Sequence, residues 1–137
     1  MAKSRGKTFK GKLIVLVDSE STSASELFAR IMQLEGRAIL IGDQTGGKVM
    51  SGVAHYLELG TNSSIAYSVN VTDSNIIMRD GKSLEDVGVT PDEIVLPTAD
   101  DLAQNRDPVL SRAASLLGKQ IAPDEAYNLL RKKTQEQ

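Results

Sequence analysis

Cysteine is absent from the 137 residues, which removes thiol nucleophiles, thiolate metal sites and disulfides at once. No apolar run approaches the roughly 20 residues of a membrane span, and no secretory leader is expected at the start of the chain. Charge of one sign is also missing. The net charge of −2 gives no reason to expect nucleic acid or anionic lipid as partners. There is a single histidine, and no internal repeat or low-complexity tract. What remains is the composition of an ordinary globular chain, 40% hydrophobic and 25% charged, long enough for one domain with a core.

The chain is organised around Leu13 to Val49. Leu13 to Val17 is a continuous apolar run, as in a strand buried on both faces. Asp18-Ser-Glu-Ser-Thr breaks it, and Ser23-Ala-Ser-Glu26 opens a helix with Leu27, Phe28, Ile31, Met32 and Leu34 on one side. Gly36 can end that helix in a left-handed conformation. Ala38 to Ile41 is a second short apolar strand, and Gly42 to Gly47 turns before Lys48. A parallel strand–helix–strand unit of this kind places Ser23 and Lys48 at the carboxyl edge of a sheet, where open α/β folds bind ligands. A serine at a helix N-terminus facing a lysine has the makings of a nucleophile facing a base.

Met1 to Lys12 carries five basic residues and little that is apolar, and reads as a solvated basic arm or an expression remnant. Beyond the central unit, Val49 to Leu59 is a loosely alternating strand broken by Gly52. Ser64 to Val71 sets Ile65, Tyr67, Val69 and Val71 on one face, as in a half-buried strand. Ile76 to Met78, the Asp80-Gly81 turn, Ser83 to Val87 and Glu93 to Leu96 complete a small antiparallel sheet. Thr98 caps a short helix through Gln104. Asp107-Pro108 starts another, with an apolar face from Val109 to Leu117, ended by Gly118. Pro123 to Lys133 is a last amphipathic helix with Ala126, Leu129 and Leu130 inward.

Each candidate site has a plainer reading beside it. Ser23-x-x-Glu26 is also a capping box, and Ser21, Thr22 and Ser25 are competing hydroxyls. Gly42-x-x-x-x-Gly47-Lys48 satisfies most of a phosphate-binding loop. Val49 replaces its magnesium-binding hydroxyl and no helix follows, so the nucleotide reading is set aside in favour of hydrolase chemistry. His55, on an alternating strand, has no oriented triad near it. Asp18, Glu20, Asp43, Glu85, Asp86 and Asp92 lie at turns without the spacing of a metal site.

Taken together, Thr22-Ser-Ala-Ser-Glu26, Gly36-Arg-Ala38, Gly42, Thr45 and Gly47-Lys48 resemble the C-terminal processing (tail-specific) serine proteases of peptidase family S41. Gly88-Val-Thr-Pro-Asp92 is similar to the segment that closes that family's peptidase domain, and the likeness extends over about Gly11 to Gly118. The resemblance implies an α/β fold of the Clp-protease/crotonase-like kind. Here it would be a domain fragment with a parallel βαβ unit, a small antiparallel sheet and C-terminal helices. It implies peptide-bond hydrolysis through an acyl-enzyme, with Ser23 as nucleophile, Lys48 as general base and the Ala24 N–H as one oxyanion donor. No cofactor or metal is implied. The partners would be a peptide or protein substrate and, through exposed edge and apolar surface, a second copy in a homo-oligomer. The family also suggests a periplasmic or other extracytoplasmic setting for a full-length parent.

The chain departs from the family pattern at Gly52, where a glutamine usually orients the lysine, and at Gly46, usually aromatic. Only twelve residues precede Leu13. The expectation is therefore a C-terminal part of a peptidase domain over residues 13–118, followed by an amphipathic helix over 119–137, with little or no activity alone. A tricorn-like branch of the family uses histidine, serine and glutamate around its nucleophile. In that alternative Glu85 takes part and Lys48 is incidental. A non-catalytic interaction domain derived from such a peptidase is the reading from another class.

Overall fold

A computed structural model describes residues 6 and 8–134, with side chains as far as Leu129. Most of the basic arm's charge and the Leu130 position therefore lie outside the described residues. In chain order the elements are β1 (Ile14–Val17), α1 (Ala24–Leu34), β2 (Ile39–Gly42), β3 (Ser51–Leu59), β4 (Ile65–Ser74), β5 (Glu93–Ile94), α2 (Ala99–Ala103), α3 (Pro108–Leu116) and α4 (Pro123–Thr134).

The expected strand–helix–strand unit forms. Strands β1 and β2 are parallel, Ile14 aligned with Ile39 and Val17 with Gly42, and α1 is the crossover. Helix α1 ends before Gly36, whose φ of 57° is the left-handed stop its sequence position predicts. The Arg37 N–H then donates to the Met32 carbonyl at 2.8 Å, completing the helix terminus. At Gly42, φ is 132° and a Cβ would meet the Val17 carbonyl oxygen, so only glycine fits this strand end.

Two expectations fail here. Strand β1 is not buried on both faces, and it is an edge of a three-stranded sheet ordered β1-β2-β5. Val15 and Val17 join the core while Leu16 is exposed. The Glu93 segment belongs to this parallel sheet rather than to the antiparallel one, with Ile41 aligned to Glu93. Asp92 sets that junction. Its N–H donates to the Leu40 carbonyl, and its carboxylate accepts from the Leu40 N–H and from Gln33.

The core gathers Val17, Ala29, Leu40, Val49, Met78, Leu84 and Val89 beneath α1 and the loops that follow β2 and β4. Helix α3 packs on β1 and β2, and α4 packs on α3 through the fully buried Ala126. Asp107 caps α3 by accepting from the Leu110 N–H, with Pro108 in the first turn as expected. Leu117 and Leu129 are exposed, contrary to the inward placement their spacing suggested. The remaining sheet is the β3–β4 hairpin, antiparallel, with Leu59 opposite Ile65. Its register shifts at Ser51/Gly52, where the sequence places the break. It is not half-buried: both faces of β4 are exposed.

Candidate active site

Ser23 sits at the carboxyl edge of the parallel sheet, one residue before α1, with φ 58° and ψ −122°. A non-glycine residue in this region carries strain of about 1–3 kcal/mol, the kind that concentrates at functional positions. The conformation is held from two sides. The Ser23 N–H lies 2.9 Å from the Lys48 carbonyl oxygen and 3.0 Å from Glu26 Oε2, donating to both.

Ser23 and Glu26 form the expected capping box, and its strong half is that return reach of the Glu26 carboxylate. The forward half is weak. The Ser23 hydroxyl makes no full cap hydrogen bond, and the Glu26 N–H donates to the Ser23 carbonyl oxygen at 3.0 Å. The hydroxyl is therefore left exposed at the helix N-terminus. Next to it the Ala24 N–H has no hydrogen-bond acceptor among the described residues. An N–H without an acceptor beside an exposed hydroxyl is the donor an oxyanion forming at that hydroxyl would use.

Glu26 is the centre of the site's scaffold. It is fully buried. Its Oε1 accepts from Thr45 Oγ1 at 2.5 Å and from the Gly47 N–H at 2.8 Å, while Oε2 accepts from the Lys48 N–H at 2.9 Å. Burial pushes its pKa up, but the bonds from Thr45, Lys48, Gly47 and Ser23 outweigh it and hold the carboxyl below its ordinary value of 4.5. The Ser-x-x-Glu spacing points Glu26 only to the cap. The further signal was Thr45 in the G-x-x-T-x-G-K segment, since its hydroxyl accepts from the Val89 N–H while donating to Glu26.

Glu85 holds the other half of the same loop, its Oε2 accepting from the N–H groups of Val49 at 2.6 Å and Met50 at 2.9 Å. With Asp43 bonded to Val17, Gln44 to Asp43, Thr45 to Val89 and Gly46 to Ser21, every N–H from Asp43 to Met50 has a protein acceptor. No backbone donor of the loop is left to cradle a phosphate. The nucleotide reading of Gly42 to Lys48 fails for that reason.

Lys48 is brought to Ser23 through its backbone, and its side chain is exposed. Among the described residues its ammonium has no hydrogen-bond or ion-pair partner, so the shielding expected of a general base is not supplied by them. Gly47 turns the chain at φ 67°, with Gly88 and Val87 packed where a side chain would start. His55 lies on β3, exposed and opposite Val69, away from these bonds. Asp18 and Asp92 are spent on turns and strand ends. Among the described residues no group of acidic or histidine side chains is arranged to hold a metal ion.

The family model for Peptidase family S41 matches residues 1–95, more than half of the chain. The chain belongs to peptidase family S41. This S41 chain is 35% identical over 83 residues to a carboxy-terminal-processing protease of Bartonella bacilliformis, covering 61% of the chain and 18% of that protein. It is 32% identical over 83 residues to a carboxyl-terminal-processing protease of Picosynechococcus, covering 61% of the chain and 19% of that protein. It thus spans less than a fifth of these curated relatives.

Among solved structures, one described as a peptidase from Parabacteroides merdae is 26% identical, with a TM-score of 0.66 over 85% of this chain and 35% of that one. The tricorn protease is 20% identical with a TM-score of 0.64, over 85% of this chain and 12% of that one, a likeness of fold. The expected α/β peptidase fold is borne out by both.

Proposed function

We propose that this S41 chain carries the nucleophile of a serine-type endopeptidase and that Ser23 is that nucleophile. The observation that carries the reading is the strained Ser23 backbone, fixed by Glu26 and the Lys48 carbonyl, with its hydroxyl exposed and making no full cap bond and the Ala24 N–H without an acceptor among the described residues. In the proposed reaction Ser23 Oγ attacks the scissile carbonyl of a peptide or protein substrate and gives its proton to Lys48 Nζ. The Ala24 N–H steadies the oxyanion. The tetrahedral adduct expels the amine, which takes the proton, and water then hydrolyses the acyl-enzyme. Lys48 must be neutral to accept the proton, and covering its side chain from water would favour that form. Residues 13–118 are proposed as the C-terminal part of the peptidase domain, so the chain alone would label at Ser23 yet turn over peptides slowly.

A fluorophosphonate probe tests this. The parent chain should label and Ser23→Ala should not; equal labelling of the two overturns the reading. Absence of labelling in a full-length parent would favour the non-catalytic interaction domain.

A second mechanism has its own supporting observation. Glu85, half-buried, grips the chain directly after Lys48 while the Lys48 side chain faces solvent. In a tricorn-like arrangement Ser23 stays the nucleophile and Glu85 takes part in place of Lys48. Labelling that survives Lys48→Ala and is lost in a folded Glu85→Gln protein would select it.

A further inference from the structure

The β3–β4 hairpin stands away from the body of the chain. Apart from Ser51, every residue of its two strands is exposed. The register divides it into unlike faces. On one, Val53 lies opposite Val71, Leu57 opposite Tyr67 and Leu59 opposite Ile65, with His55 opposite Val69. On the other, Ala54 meets Asn70, Tyr56 meets Ser68 and Glu58 meets Ala66. The first face has seven apolar side chains, each 45–68% exposed.

We propose that this apolar face packs against the same face of a second copy of the chain, making a two-layered, four-stranded dimer interface about a twofold axis. A lone two-stranded hairpin is marginal in water and gains its stability from whatever covers its apolar side. On ordinary side-chain areas the seven apolar residues leave roughly 600–700 Å² to cover, close to the ~800 Å² each partner contributes to a standard stable interface. From Val53 to Leu59 and from Ile65 to Val71 the face carries no carboxylate, lysine or arginine, so two copies meet without like-charge repulsion. An isologous contact needs a patch complementary to itself. An apolar sheet face without carboxylates, lysines or arginines meets that need, and two such faces stack about 10 Å apart as in a sandwich.

Light scattering on the gel-filtered chain is the first test. The parent should run at twice the chain mass. Leu57→Asp, on the apolar face, should run at once that mass with unchanged helical circular dichroism, while Ser68→Asp, on the opposite face, should remain a dimer. The absence of cysteine gives a second test that needs no destabilised variant. Under mild oxidation Leu57→Cys should form a covalent dimer and Tyr56→Cys should not. A monomeric parent, a Ser68→Asp protein that dissociates like Leu57→Asp, or equal cross-linking at the two cysteine positions would each overturn the proposal. The first of these outcomes would assign the face to a different occupant, either another polypeptide or a further segment of a longer one. None of these measurements depends on Ser23 being a nucleophile.

Discussion

Ser23 is held by its backbone and left free at its side chain. A helix cap and a nucleophile predict different costs for its removal. Loss of an ordinary serine cap costs about 1 kcal/mol. Because the Ser23 hydroxyl makes no full cap bond here, Ser23→Ala should change the unfolding free energy from urea melts by less than ~0.5 kcal/mol while abolishing labelling. Glu26 is the reverse case. Glu26→Gln removes the charge and turns an amide donor toward N–H groups, so it should destabilise by about 2–4 kcal/mol. Its pH dependence follows from the direction of its shift. With the folded pKa below 4.5, the contribution is fully present above that value and is lost as pH falls through the folded pKa. Urea melts at a series of acid pH values should show a shallower acid limb for Glu26→Gln than for the parent. Asp80, Glu93 and Asp101, also lowered, remain in both proteins and drop out of the difference.

The element that depends most on these residues is the loop from Asp43 to Met50. Gly47→Ala should cost about 1–2 kcal/mol, because its φ of 67° disfavours a side chain and a Cβ would approach the Gly88 and Val87 nitrogens at 3.0 Å. Denaturant unfolding of the folded variant checks this. The loop also marks where sequence stops being informative. Strands β1 and β2, α1 and its Gly36 stop were legible, since apolar runs, capping residues and glycines act locally. So were Thr98, Asp107 and Pro108 at their helix starts. The parallel placement of β5 was not, because it rests on Asp92 reaching Leu40 across 52 residues. Alternation in β4 named the correct apolar face of the hairpin. It could not say that nothing in the described chain covers that face, because alternation reports sidedness and not partners. Ser23 and Lys48 were legible as neighbours, but spacing carries no information on whether the lysine side chain is shielded.

At the scale of the whole molecule, stability is unevenly spread. Leu40, Ile41 and Ala29 are fully buried in the parallel sheet and α1, while among the described residues the backbone of the hairpin bonds only along its own length. Hydrogen exchange should rank accordingly, with amides of β2 and α1 slowest and those of β3 and β4 fastest under dilute conditions. Uniform protection across both sheets at high dilution would contradict this division.

The grip on the loop has a consequence for anyone moving this site into another protein. The shape of residues 43–50 is not stored in those residues. It is imposed in large part by Glu26 and Glu85, each of which binds two successive N–H groups from outside the loop. Transplanted alone, the glycine-lysine segment would relax into an ordinary turn. What has to travel is a pair of carboxylates 59 positions apart and the folded body that aims them.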